Sequence, residues 1–550
     1  MREGRLSQRM HATKTKAIIW LSIVWILVRI YPAIMGWSAI GTEVWQAHKL
    51  LEYGVQRLHG GAVRQDVWTG TIAHPEHYLY THHPYPIIWF CAAVIRFFGI
   101  PGVAVAMFLL KYLALVLCFQ VLDAHFSRPA AFWASVLYAL APVAIVLDGN
   151  ANSVVVASAF WPIAVALIIF RFQRRQPATL GDLLLAGAIM FVAGQTSWFA
   201  LSMAPVLAAI NARVTSLRLA SVRQMLANPV SLALLLGGVL ALLVFLGQVA
   251  YYDVDFASLR HYVVVKAGAT HHTLPRLRLL ELIPVRVLTF TGITLAFASF
   301  LGVIYLVREP KLRGELAVGA GSYFVTFMAM VLVLPGFFYT ENHIYTFLAF
   351  PGAVLAALIF EQLGARLRSL ILLSSLLGVA VALMYASVPI ISSMSKFMGG
   401  VFAARTKSTD FIFTNLRPVS YPYKASDVTS GAATGIAADR LIFFGVSEPA
   451  QLSLAGDLAD DSTRFQYWRF RSLPIGSDLE AELRSHGELP QTLPLTFPAQ
   501  ADTLADKLRS FYWYSVMKKS KRAEPSPATA SDLIDIYEVH PRLQQRAPQS

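Results

Sequence analysis

The sequence predicts a polytopic α-helical membrane protein of about eleven spans with extra interfacial helices, followed by a C-terminal mixed α/β domain. Three observations predict it. Of 550 residues, 56% are hydrophobic and only 14% are charged, more apolar surface than a soluble core can hide. The apolar residues fall in long runs, and a helix of about 20 residues crosses the roughly 30 Å hydrocarbon core. After residue 390 the texture changes to short apolar segments between polar and Pro/Gly/Ser-rich ones. The net charge of +14 does not mark a nucleic-acid partner, because most basic residues sit in short loops between apolar runs, where they set orientation.

The N-terminus, residues 1–15, is basic and is expected on the cytoplasmic side, ahead of an uncleaved first span in AIIWLSIVWILVRIYPAIM. An outer loop then runs over 36–100. Within it Val44, His48, Leu51, Val55 and Leu58 recur at helical spacing, while Gln46, Lys49, Glu52 and Gln56 fall elsewhere on the wheel. That pattern predicts a helix lying along the membrane surface, with Thr42 as its candidate cap. The block PYPIIWFCAAVIRFFG, 84–99, contains Arg96 and as a helix reaches about 24 Å, short of a full crossing. It reads as a second interfacial or re-entrant helix.

The remaining apolar runs are 101–121, 130–147, 153–170, 181–194, 196–211, 229–250, 284–306, 316–334, 343–361 and 369–390. With this division Arg128, the Arg171–Arg175 cluster, Arg213 to Arg223, Arg308 to Arg313, and Arg366 with Arg368 all fall inside, as short cytoplasmic loops require. A domain over 16–390 is therefore followed by an extracytoplasmic domain over 391–550. In the latter DFIFTN, RLIFFGV and LIDIYEVH read as buried strands, and KKSKRAEPSPATAS and HPRLQQRAPQS as low-complexity pieces expected to be mobile. No internal repeat supports a transporter built on inverted repeats.

The residues able to carry chemistry gather on the outer side. Glu43 stands at the start of its helix, where the positive helix end favours a carboxylate, and a carboxylate at the membrane rim can take a proton from an attacking hydroxyl or amine. Asp148 lies in LDGNANS, equally the composition of a turn. His82 and His83 precede two prolines; adjacent histidines rarely share one metal without further ligands, so no metal is assigned and a divalent ion stays open. Glu341, His343 and Tyr345 lie in FFYTENHIY. The loop 251–283 carries Arg260, Lys266, Arg276 and Arg278, which run against the positive-inside trend; they suit either a bound anion such as a lipid phosphate or lipid head groups. Cys91 and Cys118 sit in apolar runs, so neither a disulfide framework nor a zinc site is indicated.

The order of these motifs resembles the GT-C class of glycosyltransferases, in particular the dolichyl-phosphate-mannose protein mannosyltransferase (glycosyltransferase family 39) and aminoarabinose transferase group. The likeness covers roughly 15–390 and rests on an acidic first loop with an A-x-x-L-L-x-x-G-like helix (Glu43 to Gly54), the HHPYP turn, APVAIVLDGN, the GQTSWFALSMAP hairpin and HIYTFLAFP. It implies transfer of a sugar from a polyprenyl-phosphate donor to a glycan, lipid or protein acceptor, with Glu43 as the base and Asp148 near the second acid. Thr42 stands where such sequences carry an Asp, and Ser197 and Trp198 where they carry a Lys. Two other readings stay open: a lipid-linked-sugar flippase and a non-catalytic partner subunit. The absence of an Asn-x-Ser/Thr sequon favours a bacterial inner membrane over a secretory pathway.

Overall fold

The structure is a computed structural model that describes residues 14–29, 42–63, 72, 74–81, 83–147, 151–175, 177–216, 219–253, 256, 259–260, 263–264, 276–309, 314–340, 342–362, 376, 393–407, 410–416, 441–444, 446–449, 451–452, 463–471, 473, 475–485, 490–496 and 531–539. It divides into two units, one of residues 1–47 with 81–386, the other of 48–80 with 387–550.

The first unit is helical, and the protein is an integral membrane protein. Among the described residues five helices are long and apolar enough to cross a membrane: Pro86–His125, Ser153–Phe172, Pro229–Tyr252, Glu315–Val333 and His343–Gln362. Leu180–Thr196, Trp198–Asn211 and Ile293–Arg308 are apolar but shorter, and residues 14–29 are also helical. The expected count of eleven is not reached among the described residues, and nearly all of 369–390 lies outside them.

Two glycines account for differences at span ends. Helix Pro86–His125 breaks at Gly99, which takes φ 67°, ψ 179°. A side chain there strains the backbone, so the segment before the break is a half-length helix of about 20 Å, followed by a longer one that Pro101 helps start. The expected run 284–306 is likewise two helices, Arg276–Thr291 and Ile293–Arg308, parted by Gly292 at φ 92°. Arg276 and Arg278 therefore belong to a helix and not to an open loop. The run 130–147 is also divided, into Arg128–Ala139 and Pro142–Leu147.

With no hydrophobic drive between helices inside lipid, close backbone approach between small residues holds a bundle together. Helix Leu180–Thr196 packs along Pro229–Tyr252 in this way. A Cβ placed on Gly237 would stand 2.2 Å from the Gly187 carbonyl oxygen, and one on Gly194 would stand 2.7 Å from Ala241 Cβ. The Gln195 side chain closes the same seam by donating to the Ala241 carbonyl at 2.7 Å. At one end of the bundle Asp123 is shared by Arg128 at 2.9 Å and Lys14 at 3.7 Å. Asp182, in a capping box with Thr179, takes Arg171 at 2.7 Å.

The second unit carries a five-stranded sheet in the order β2-β1-β3-β5-β4, from β1 (Phe411–Thr414), β2 (Leu441–Phe444), β3 (Phe465–Phe470), β4 (Gln491–Thr496) and β5 (Ser531–Glu538). Strand β1 pairs in parallel with β2 and β3, while β5 runs antiparallel to β3 and β4. Alternate residues face opposite sides. Phe411, Phe413, Phe443 and Phe465 stack together; Ile412, Trp468, Phe470, Ile534 and Ile536 form a core with Met398 and Phe402 of helix Ser393–Ala403. The three expected strands are present, and β3 and β4 are additional. On the interior strand β5 the buried Asp535 accepts from Arg471 through both oxygens at 2.7 Å and from Thr492 at 2.8 Å. Burial alone would raise its carboxyl, but these bonds hold it below the ordinary carboxylate range. The low-complexity pieces KKSKRAEPSPATAS and HPRLQQRAPQS lie almost wholly outside the described residues.

Candidate active site

Glu43 opens the helix Thr42–Tyr53, and its carboxylate is buried. Its Oε1 accepts the backbone N–H of Ser153 at 2.7 Å. Ser153 starts the helix Ser153–Ser158, whose next two amides are taken by Asn152 Oδ1 at 3.0 and 3.3 Å. A helix start leaves its first N–H groups without intrahelical partners, and here the adjacent cap Asn152 and the sequence-distant Glu43 satisfy them. Fixing Oε1 fixes the direction of the second carboxylate oxygen. The Cys91 thiol, just inside the half-length helix, lies within electrostatic reach of the same carboxylate.

The helix carrying Glu43 departs from the amphipathic expectation. Val44, Trp45, Gln46, Ala47, Lys49 and Leu50 are all buried, on every side of the wheel, while Val55 is 57% exposed. Of the polar stripe Gln46 and Lys49 turn inward while Glu52 and Gln56 stay exposed; Lys49 Nζ donates to Glu52 Oε2 at 2.7 Å and stands 5.8 Å from the centre of the Tyr53 ring. A buried ammonium needs such a partner. The Thr42 side chain lies outside the described set.

Gln248 holds the described part of the HHPYP turn. Gln248, near the end of helix Pro229–Tyr252, accepts the Tyr85 N–H at 3.2 Å through Oε1 and donates Nε2 to the His83 carbonyl at 2.9 Å. The Tyr85 ring, fully buried, meets Tyr252 edge-on at 5.4 Å. His83 is thus fixed through its backbone just before the half-length helix.

The segments before the helix Ala349–Gln362 form the next wall. The turn Asn342–Leu348 packs against Pro142–Leu147, against Ser153–Ser158 and against Arg276–Thr291. The turn that carries His343 and Tyr345 thus packs on the short helix whose first amide Glu43 accepts. The Tyr345 hydroxyl is buried and donates to the Phe338 carbonyl at 2.8 Å, amid Phe199, Phe327, Phe337 and Phe338. Helix Arg276–Thr291 also packs on Pro335–Thr340 and carries Arg286, which is buried and within electrostatic reach of Tyr345.

Of the other expected site residues, Arg260 is helical and exposed. Arg276 and Arg278 lie on their helix with side chains outside the described set, and His82, Asp148, Lys266 and Glu341 lie outside the described residues. The sequence reading missed Arg286, Gln248 and the Ser153 amide. A buried arginine at the edge of an apolar run is a readable signal; a backbone amide is not. Among the described residues no three His, Cys, Asp or Glu side chains converge as a metal cage. The two cysteines are free and buried.

No protein-family model and no curated protein matches the sequence. Solved structures do match. The Archaeoglobus fulgidus oligosaccharyltransferase in complex with Zn and sulfate is 11% identical at a TM-score of 0.53, over 95% of this chain and 88% of that one. The same protein tethered to an acceptor peptide with the NVT sequon gives 0.54 at 11% identity, over 96% and 88%. ArnT from Cupriavidus metallidurans bound to undecaprenyl phosphate is 12% identical at 0.52, over 88% of this chain and 96% of that one. The chain has the GT-C fold. In this GT-C chain the first-loop acid of the resemblance is Glu43, and the late H-x-Y is the turn Asn342–Leu348 beside Arg286.

Proposed function

We propose that this GT-C chain is a membrane glycosyltransferase that moves a sugar from a polyprenyl-phosphate donor to a glycan, lipid or protein acceptor. The buried Glu43 carboxylate, oriented by the Ser153 amide, carries the reading. The shared fold supports it, since one structure of that fold holds undecaprenyl phosphate and another an acceptor peptide.

In the proposed reaction an acceptor hydroxyl or amine loses its proton to Glu43 and attacks the anomeric carbon in a single displacement. The new glycosidic bond forms as the bond to the lipid phosphate breaks, with inversion, and polyprenyl phosphate leaves with the electron pair. Negative charge grows on that phosphate, so a preorganised cation near it lowers the barrier. Arg286 is the described residue best suited, being buried on a helix packed against the His343 turn. His83, His343 and Tyr345 stay candidates for positioning the donor, as do Arg260, Lys266, Arg276, Arg278 and Glu341. Asp148 is the second acid of the proposal. No step passes through a metal. The loop 36–100 and the domain 391–550 are proposed to face the outside of a bacterial inner membrane, opposite the N-terminus.

The test uses proteoliposomes loaded with a polyprenyl-phosphate sugar labelled in both sugar and lipid. Sugar on acceptor with an equal amount of free polyprenyl phosphate supports transfer. Intact donor crossing the bilayer with no bond broken identifies a flippase instead, and binding without either outcome a non-catalytic partner.

A further inference from the structure

The end of the first unit opposite Glu43 carries charge that the proposed transfer does not use. The helical stretch Ser153–Phe172 runs about 30 Å away from the Glu43 contact, and several segments meet where it stops. Gln173 Nε2 donates to the Ile210 carbonyl at 2.9 Å, near the end of helix Ala204–Asn211. Gln224 Nε2, from helix Leu219–Ala227, donates to the Ala212 carbonyl at 2.6 Å. Asn211 Nδ2 ties in the start of helix Pro229–Tyr252 through Asn228 Oδ1 and Ser231 Oγ, each at 2.9 Å.

From Arg171 to Tyr252 the sequence holds six arginines and a single acid, Asp182. That acid is already engaged, with Arg171 on one oxygen and Thr179 on the other. Arg174, Arg175, Arg213 and Arg223 are exposed, and among the described residues none of the four pairs with a carboxylate. Arg213 follows the cap of helix Ala204–Asn211 at φ 55°, a left-handed backbone that Gly, Asn and Asp adopt more readily. Its guanidinium is therefore held there at a backbone cost. Beside it, helix Leu219–Ala227 leaves Val222 and Leu226, one turn apart, 46% and 53% exposed. Apolar side chains along one edge with arginines next to them suit a helix lying at a bilayer interface, its apolar edge among acyl chains and its guanidinium groups at head-group level.

From this we infer that this end of the bundle is a docking surface for anionic phospholipid. The arginines pair their forked donors with the lipid phosphates, and Val222 and Leu226 enter the acyl layer beside them. Charge complementarity selects the occupant. Uncompensated cations flanking an apolar edge match a leaflet that is anionic at its surface and apolar just beneath, which a soluble anion is not. The surface requires neither Glu43 nor a particular sidedness, so its loss and the loss of sugar transfer are separate results.

The test is native mass spectrometry of the full-length chain released from neutral detergent that contains phosphatidylglycerol and phosphatidylcholine in equal amounts. Wild type is expected to retain phosphatidylglycerol in preference by about tenfold or more. The triple variant Arg174→Gln/Arg175→Gln/Arg213→Asn is expected to lose about a hundredfold in affinity for it, near fivefold per arginine. Asn accepts the left-handed backbone at 213, so this variant is expected to melt with wild type in phosphatidylcholine. Val222→Ser/Leu226→Ser should weaken the same lipid with every arginine in place. Arg308→Gln removes an exposed arginine that has Glu309 beside it and should leave binding unchanged. Equal phosphatidylglycerol retention by wild type and the triple variant, an equal loss in Arg308→Gln, or displacement of the lipid by millimolar inorganic phosphate would each overturn the docking surface.

Discussion

At the residue scale the proposed chemistry depends on groups that are buried and still polar, Glu43 and Arg286. A carboxylate fixed by one amide has a defined direction, which is what proton removal from an acceptor requires. The buried Arg286 guanidinium, on a helix packed against the His343 turn, supplies the opposite sign in the proposed reaction. Arg286→Met is expected to lower kcat/KM for donor by about 10²-fold while Arg286→Lys recovers part of it, read from initial rates at varied donor. Gln248→Leu leaves the Tyr85 N–H and the His83 carbonyl without that partner. It should cost about 1–3 kcal/mol and raise the donor KM, checked by unfolding in detergent alongside kinetics. In the five-stranded sheet of the second unit Asp535 has a depressed carboxyl. Its contribution is therefore present above the unfolded value of about 3.9 and is lost as pH falls through the lower folded value. Limited proteolysis of 391–550 between pH 6 and pH 2.5 should show this acid sensitivity in wild type. Asp535→Asn should be weakened already at pH 6 and depend less on pH. Glu43 was legible in the sequence as an acid at a helix start. Its partner was not, because the Ser153 amide is brought to it by tertiary packing and has no side-chain signature.

Elements show a similar split between what pattern reveals and what contact decides. The break near 99 was readable from the short reach of 84–99 and from Arg96, and a positive φ at Gly99 places it. The break at Gly292 was not readable, since apolar residues run through it on both sides. Strands β1, β2 and β5 announced themselves as FIF, LIFF and LIDIYEV. Strand β3, FQYWRF, mixes aromatic and charged residues, and β4 is an edge strand with Pro494 and mostly exposed side chains, so neither gave an apolar run. The surface-helix pattern at 44–58 failed because Lys49 and Gln46 are buried with the apolar residues. Helix–helix seams carry a sharper prediction. Gly237→Val drives a side chain into the Gly187 backbone and should cost about 1–3 kcal/mol or more. Gly247→Ala, on the same helix with nothing within 4 Å of the added Cβ, should not destabilise. Thermal melting of the two variants in detergent compares them directly.

For the whole molecule, the membrane class was legible in composition and the fold in the ordering of weak motifs; Arg286 enters the proposal only through packing around the His343 turn. The proposed sidedness has a simple check, because both native cysteines are buried. A membrane-impermeant maleimide should label Ser485→Cys on intact spheroplasts, and Arg174→Cys only after permeabilisation; the reverse pattern would invert the topology. The central claim is that Glu43 is the base of sugar transfer from a polyprenyl phosphate. Its most direct test is transfer of radiolabelled sugar from polyprenyl-phosphate donors to membrane acceptors by purified wild type and Glu43→Gln. The account predicts turnover in wild type and a loss of at least about 10²-fold in the variant, with donor binding retained. Equal turnover in the two proteins would contradict it.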